Sequence, residues 1–217
     1  MSLASTTSYT PDKFLAGEHP QVYRPVTLLA GEGALAKGAV LAKVTKGAAT
    51  GARTATNTGN ATIGTVSRGA AGKVGVYTVT CITAATADPV AAAVYRVIDP
   101  DGLALPNAAE GTAYAGPVIF TLTAGLTPSA VDDTFTITVA AGSGYYKRVN
   151  KTDIDGGAVA CAVLAAAVTV ANDANATGVA LVHGEPNSGA FSYDAGTVLA
   201  DVQAALEAVG IYPKTLA

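Results

Sequence analysis

The sequence predicts a mainly β fold: a β body with one short C-terminal helix and a large inserted β domain, either a sandwich or a small barrel. Three observations point there. Residues 63–142 run through short alternations of β-branched and aromatic residues, cut by Asp-Pro, Asp-Gly and Ala-Gly steps. The closely spaced glycines Gly31, Gly33 and Gly38 are followed by another β-branched alternation, not by a helix. Only the segment from Thr197 to Gly210 clearly repeats its apolar residues at helical spacing.

In chain order, residues 1–22 read as a polar, Ser/Thr-rich arm whose scattered apolar anchors are Leu3, Tyr9, Phe14, Leu15 and Val22. These are too few to make a core. An arm of this kind orders by adding a strand to another chain's exposed edge. Thr6, Thr7, Ser8, Tyr9 and Thr10 suit such an addition, and Pro11 ends the run of backbone donors. The alternative is an unattached terminus.

Residues 23–45 read as a hairpin or pair of strands. Within them "VTLLAGEGALA" superficially fits a relaxed dinucleotide fingerprint, which would need a helix after the glycines and an acid about 20 residues on. Instead Val40, Leu41, Lys43, Val44 and Thr45 follow, and no Asp or Glu appears between Glu32 and Asp88. The glycines are therefore read as a corner. The stretch "GAATGARTATNTGNAT" reads as a spacer of small residues.

Strands are then expected in "ATIGTVS", "GVYTVTCITA", "VYRVIDPDG", "GPVIFTLTAG" and "DTFTITVAAG". In the last, Phe135, Ile137 and Val139 share one face while Thr134, Thr136 and Thr138 share the other, so one side packs and one is wet. Past Gly144 comes a small basic group, Lys147, Arg148 and Lys151. For residues 158–171 alanine favours a helix, but Val159, Val163, Val168 and Val170 after a Gly-Gly pair tilt the reading to extended structure. The terminal helix has Thr197 as its expected N-cap, Val198, Val202, Leu206 and Val209 on one stripe, and Gly210 as its stop.

Composition narrows function. Of 217 residues only 13% are charged, against roughly 25% in an ordinary soluble domain, so part of the surface is expected to be covered by copies of the chain or by another protein. The formal net charge of -3 supplies no cationic field for nucleic acid. The longest apolar run is broken by Thr169 and falls short of the roughly 20 residues of a membrane span. The first twenty residues have neither a basic start nor an apolar centre, so no secretory signal is expected. Cys81 and Cys161 sit in apolar settings without ligand or redox spacing, and read as buried thiols.

The catalytic and metal readings are weak. His19 and His183 lie far apart in sequence with no second ligand at metal spacing. A His183–Glu185 acid–base pair is opposed by the turn-forming Gly184 and Pro186. "DPDG" and "DIDGG" lack the remaining ligands of a calcium loop, and "RGAAGK" has the wrong spacing for a phosphate loop. No cofactor, metal or catalytic residue is expected.

The segment "VTLLAGEGALAKGAVLAKVTKG" resembles the N-terminal signature of head decoration proteins of lambda-like tailed phages, and "ATGVALVHGEPNSGAFSYD" followed by the helix and "GIYPK" agrees with it in order. The resemblance covers residues 20–56 and 145–217. It implies a capsid-binding arm over 1–22, a decoration-like core over 23–56 and 145–217, and an inserted β domain over 57–144. It further implies a homotrimer, made in the host cytoplasm, that sits on the outer surface of the expanded head and clamps neighbouring major capsid proteins. Thr6, Thr7, Ser8, Tyr9, Thr10 and Phe14 would then be the capsid-binding residues of the arm, with Lys147 and Arg148 as a further contact or merely a solvated surface. Two other classes stay open: a tail-tube or baseplate subunit, and a carbohydrate-binding module. The latter is weakened because Trp is absent and Tyr77, Tyr95 and Tyr114 suit sheet packing.

Overall fold

The computed structural model describes residues 13–87 and 90–216. The chain divides into two compact units: one holds the described residues up to Lys43, Tyr145–Lys151 and everything from Gly157 on, and the other holds Val44–Gly144 and Thr152–Gly156. The second unit thus starts at Val44, ahead of the expected insertion over 57–144.

The strands before this point are β1 (Val22–Leu28), β2 (Gly33–Leu35) and β3 (Val40–Lys43). The second unit contains β4 (Lys46–Arg53), β5 (Thr62–Ile63), β6 (Ser67–Arg68), β7 (Gly75–Thr83), β8 (Thr86–Ala87), β9 (Val90–Ala91), β10 (Val94–Ile98), β11 (Ala104–Ala109), β12 (Ala113–Ala115), β13 (Val118–Thr123) and β14 (Thr134–Ala141). The chain then returns through β15 (Tyr146–Arg148), β16 (Ala160–Leu164), β17 (Val168–Val170), β18 (Ala176–His183) and the helix α1 (Leu199–Ala208).

In the first unit β1, β15, β3, β16 and β18 close into a barrel. Its strands β3 and β16 are apolar on both faces, and the two faces serve different cores. Leu28, Leu41, Ala162, Leu164 and Ala180 form one cluster, while Val40, Ala42, Val163 and Leu181 pack in another with Val202 and Leu206 of α1. A strand buried on both sides reads as a continuous apolar run, which explains the alanine-rich texture. Residues 160–164 and 168–170 are indeed strands, not helix.

The residues 23–45 do not form a hairpin. β1 pairs with β18 and β15, and β2 pairs with β17. Gly31, Gly33 and Gly38 all have positive φ, and no helix follows them; the glycines turn corners.

The second unit is a sandwich of two open sheets. The larger has the order β11-β10-β7-β14-β4; the smaller runs β12-β13-β5, with β6 also on β13. Tyr77, Val79, Tyr95, Phe135 and Ile137 from the larger share a core with Tyr114, Val118, Phe120 and Leu122 from the smaller. The three tyrosines are therefore packing residues. In β14 Phe135, Ile137 and Val139 are buried while Thr134, Thr136 and Thr138 are not, as the pleat requires. The expected spacer over 47–62 is a correction: its first part, 47–53, belongs to β4, registered against β14 from Lys46↔Ala141 to Arg53↔Phe135.

The helix also differs at its start. Val198 is the N-cap residue, and Asp201 accepts its N–H at 2.9 Å, whereas the Thr197 hydroxyl accepts from the backbone of Lys151. The C-terminus is a Schellman motif. Gly210 (φ +84°) donates to Glu207 and Ile211 donates to Leu206, and the Ile211 and Leu206 side chains share one core.

Candidate functional site

The candidate site is the root of the N-terminal arm, and it is built on the segment Gly184–Ser188. Gly184, with φ of +137°, carries the chain out of β18. On one side of this segment the N-terminal chain docks antiparallel, with the Ala16 N–H donating to the Glu185 carbonyl (2.9 Å) and the Asn187 N–H to the Phe14 carbonyl (2.8 Å). On the other side the C-terminal chain docks parallel, the Tyr212 N–H donating to Gly184 (2.8 Å) and the Lys214 N–H to Pro186 (2.9 Å). A three-ply patch of main chain results, with "GEPN" in its middle.

Side chains lock it. The Asn187 amide donates to the Lys13 carbonyl (2.8 Å) while its oxygen accepts from Gly189, so one buried residue holds the arm and the following turn together. The Glu185 carboxylate lies 2.6 Å from Lys214 Nζ, and this hydrogen bond holds its pKa below the ordinary Glu value. Gly17 crosses directly over Glu185, where a Cβ would collide with that carboxylate.

Phe14 requires a correction. Expected among the capsid-binding residues, it is only 4% exposed and belongs to the core with Val202, Leu206 and Ile211. It cannot contact another protein without leaving that core. Thr6, Thr7, Ser8, Tyr9 and Thr10 lie outside the described residues. Lys147 and Arg148 fall on β15 and are half-buried. Arg148 braces this strand to β2: its N–H donates to Glu32 (2.8 Å) and its guanidinium to the Ala34 carbonyl (3.0 Å).

Two histidines that sequence spacing separates meet here. The His19 and His183 ring centroids are 5.1 Å apart, and Tyr212 lies 5.8 Å from His19. His183 Nδ1 is 3.0 Å from the Pro20 carbonyl, a bond that requires the proton on Nδ1. The turn expected at Gly184 and Pro186 is not formed, since both lie in extended main-chain pairing; Glu185 is instead engaged by Lys214. Among the described residues no three His, Cys, Asp or Glu side chains are grouped to hold a metal. In "DPDG" the Lys73 ammonium lies 2.6 Å from both Asp99 and Asp101, filling the place a cation would take. Cys81 and Cys161 are free thiols, the first buried and the second partly so, with burial raising both pKa values. Among the described residues no helix is long and apolar enough to cross a membrane.

Around the arm's root several large apolar side chains are exposed among polar ones. Val22, Tyr23, Val179 and Tyr212 are each about 40–45% exposed, on β1, β18 and the C-terminal segment that pairs beside them.

No protein-family model matches the chain, and no curated protein matches it. Partial likeness is found to solved structures of FlgL from Xanthomonas campestris in two crystal forms, each at 18% identity and TM-score 0.33, over 55% of this chain and 41% of that one. The flagellar hook junction protein FlgK from Burkholderia pseudomallei overlaps at 20% identity and TM-score 0.32, over 59% of this chain and 21% of that one. The chain thus spans under half the length of these proteins, and the overlap carries no functional argument.

Proposed function

We propose that this protein is a non-enzymatic structural subunit of a multi-copy particle, attached through residues 1–12 and self-associating through the apolar surface beside their point of departure. The observation that carries this reading is the arm's anchorage. Phe14, Ala16 and Asn187 fix the chain immediately after residue 12, so a partner bound by the Thr6–Thr10 stretch would be tethered to the barrel at a defined place. Exposed Val22, Tyr23 and Val179 beside that place are surface that a neighbouring copy can cover, in keeping with the low charge of the chain.

The finer reading is the capsid decoration subunit of a tailed phage, a trimer on the outer face of the head bound to the major capsid protein. It rests on the resemblance of residues 20–56 and 145–217. A tail-tube or baseplate subunit is the alternative, and stoichiometry separates the two. Light scattering after size exclusion of the full chain is expected to give a closed trimer for a decoration subunit and six-fold rings or stacked tubes for a tube subunit. A monomer at micromolar concentration would overturn both.

A further inference from the structure

A separate site lies within the second unit. The turn between β11 and β12 places Glu110 against the end of β10, where its N–H donates to the Ala93 carbonyl (2.9 Å). Glu110 is only 7% exposed. The buried Ser129 hydroxyl donates to Glu110 Oε1 (2.7 Å) and accepts in turn from the Tyr95 hydroxyl (2.7 Å). That relay satisfies one carboxylate oxygen. The other is not a buried, sealed-in atom, because Glu110 lines an open cleft of about 300 Å³.

The rest of the cleft is mostly methyl groups and main chain: Ala85, Ala91, Ala92 and Ala124, with Thr86 beside them and Gly111 at the turn. Among the described residues no basic side chain lines it. A carboxylate whose free oxygen opens only onto an apolar cleft attracts a cation more strongly than one in bulk water, and alanine methyls favour an aliphatic stem. A guanidinium binds best as a fork using both carboxylate oxygens, but Ser129 occupies one of them. An ammonium is a point charge that needs only the other. The volume is at the lower end of small-ligand sites.

We infer that this cleft binds an alkylammonium group, with Glu110 as the anion that receives the head and the four alanines as the wall along its stem. Two sources share that chemistry: a free aliphatic diamine and a lysine side chain of a partner protein.

The test is an NMR titration of the full-length protein with methyl-labelled alanine, using 1,5-diaminopentane, a capped lysine, a capped arginine and 1-pentanol. Saturable shifts of the Ala85, Ala91, Ala92 and Ala124 methyls are expected with the two amines and not with pentanol. Glu110→Gln should weaken amine binding by at least about tenfold. Should that variant unfold, Ala124→Leu, at an exposed position, fills the cleft while leaving Glu110, Ser129 and Tyr95 in place, and it should abolish binding. Ser129→Ala frees the second oxygen and should shift the preference towards arginine, which mere support of the turn would not do. Tighter binding of the diamine assigns a small-molecule ligand; tighter binding of the capped lysine assigns a partner's side chain. Equal response to pentanol, no saturable shift with either amine, or unchanged amine binding when Glu110 is replaced would overturn the inference.

Discussion

Lys43 and Tyr146 stand directly opposite each other across the antiparallel pair β3–β15, with the Lys43 ammonium 6.0 Å from the Tyr146 ring centroid, although the main body of the second unit lies between them in sequence. The chain therefore leaves the barrel and returns to it at paired positions that a tight hairpin could join just as well.

This gives a sharp test of the division at Val44. Replacing residues 44–145 with Asn-Gly joins Lys43 to Tyr146 by a two-residue turn whose twist suits an antiparallel pair. The expected product is soluble, with a cooperative thermal transition and β-type circular dichroism. Excising only the expected insertion, 57–144, strands β4 without its partner β14 and should yield aggregating protein. If the shorter excision folds and the longer does not, β4 belongs to the barrel unit.

The glycine corner allows strain and collision to be separated. Gly31 has φ of +90° with open space around a would-be Cβ, so Gly31→Ala should cost about 1–2 kcal/mol from the left-handed backbone alone. Gly38 has φ of +88°, and there a Cβ would meet the Ala190 carbonyl oxygen at 2.0 Å. Gly38→Ala should therefore cost well beyond that, about 4 kcal/mol or more. Urea unfolding of the two variants measures both. Equal losses would mean that residues 188–190 yield freely.

The strands that were legible in the sequence are those whose side chains do the packing. β7, β10, β13 and β14 alternate large apolar residues with polar ones because each has one face in the sandwich core. β4 was not legible: "KGAATGAR" has no large apolar residue, and it is a strand because β14 offers it a ladder. β11 likewise contains Pro106 and sits at a sheet edge, where proline is tolerated. At the helix start the threonine next to the apolar run was the natural cap, but capping is decided one residue later, through Asp201. The candidate site was legible only in part. "GEPN" lies inside the segment "ATGVALVHGEPNSGAFSYD", yet its neighbours are Phe14 and Ile211–Lys214, and the period of a local pattern carries no information about partners so distant. The same holds for His19 with His183 and for Tyr95 with Ser129 and Glu110.

Acid should loosen the arm's root and the helix start together. Hydrogen bonding to Lys214 depresses the Glu185 pKa, and the Val198 N–H followed by Lys151 depresses that of Asp201. A carboxyl whose folded pKa lies below its unfolded value contributes stability above the unfolded pKa and loses it as the pH falls through the folded one. Urea midpoints should thus be level near neutrality and drop once the pH passes below about 4–5. Glu185→Gln should lower the midpoint at neutral pH and flatten its acid limb. An unchanged acid limb would show that Lys214 contributes nothing to the fold.

The last prediction concerns where the arm begins. Residues 1–22 read in sequence as one extension, but Phe14 is core, and the Phe14–Ala16 main chain is paired with Glu185 and Asn187. Removing residues 2–12 should therefore leave stability unchanged, whereas removing 2–18 should destabilise the first unit. The loss should resemble that of Phe14→Ala, about 3–5 kcal/mol for deleting a buried aromatic side chain. Lys37→Met, which keeps most of the aliphatic stem but removes the ammonium 4.8 Å from the Phe14 centroid, should cost about 0.5–1 kcal/mol. Assembly should respond differently. The 2–12 deletion, although fully folded, should occupy expanded, undecorated phage capsids far less than the intact chain at limiting concentration, as cosedimentation would report. Ser8→Pro should reproduce much of that defect if the Ser8 amide joins a ladder, while Ser8→Ala should not, because the backbone donor survives. Full occupancy by the 2–12 deletion would move attachment onto the body of the protein. Failure of the intact chain to bind any capsid would remove the decoration reading and leave the tube subunit.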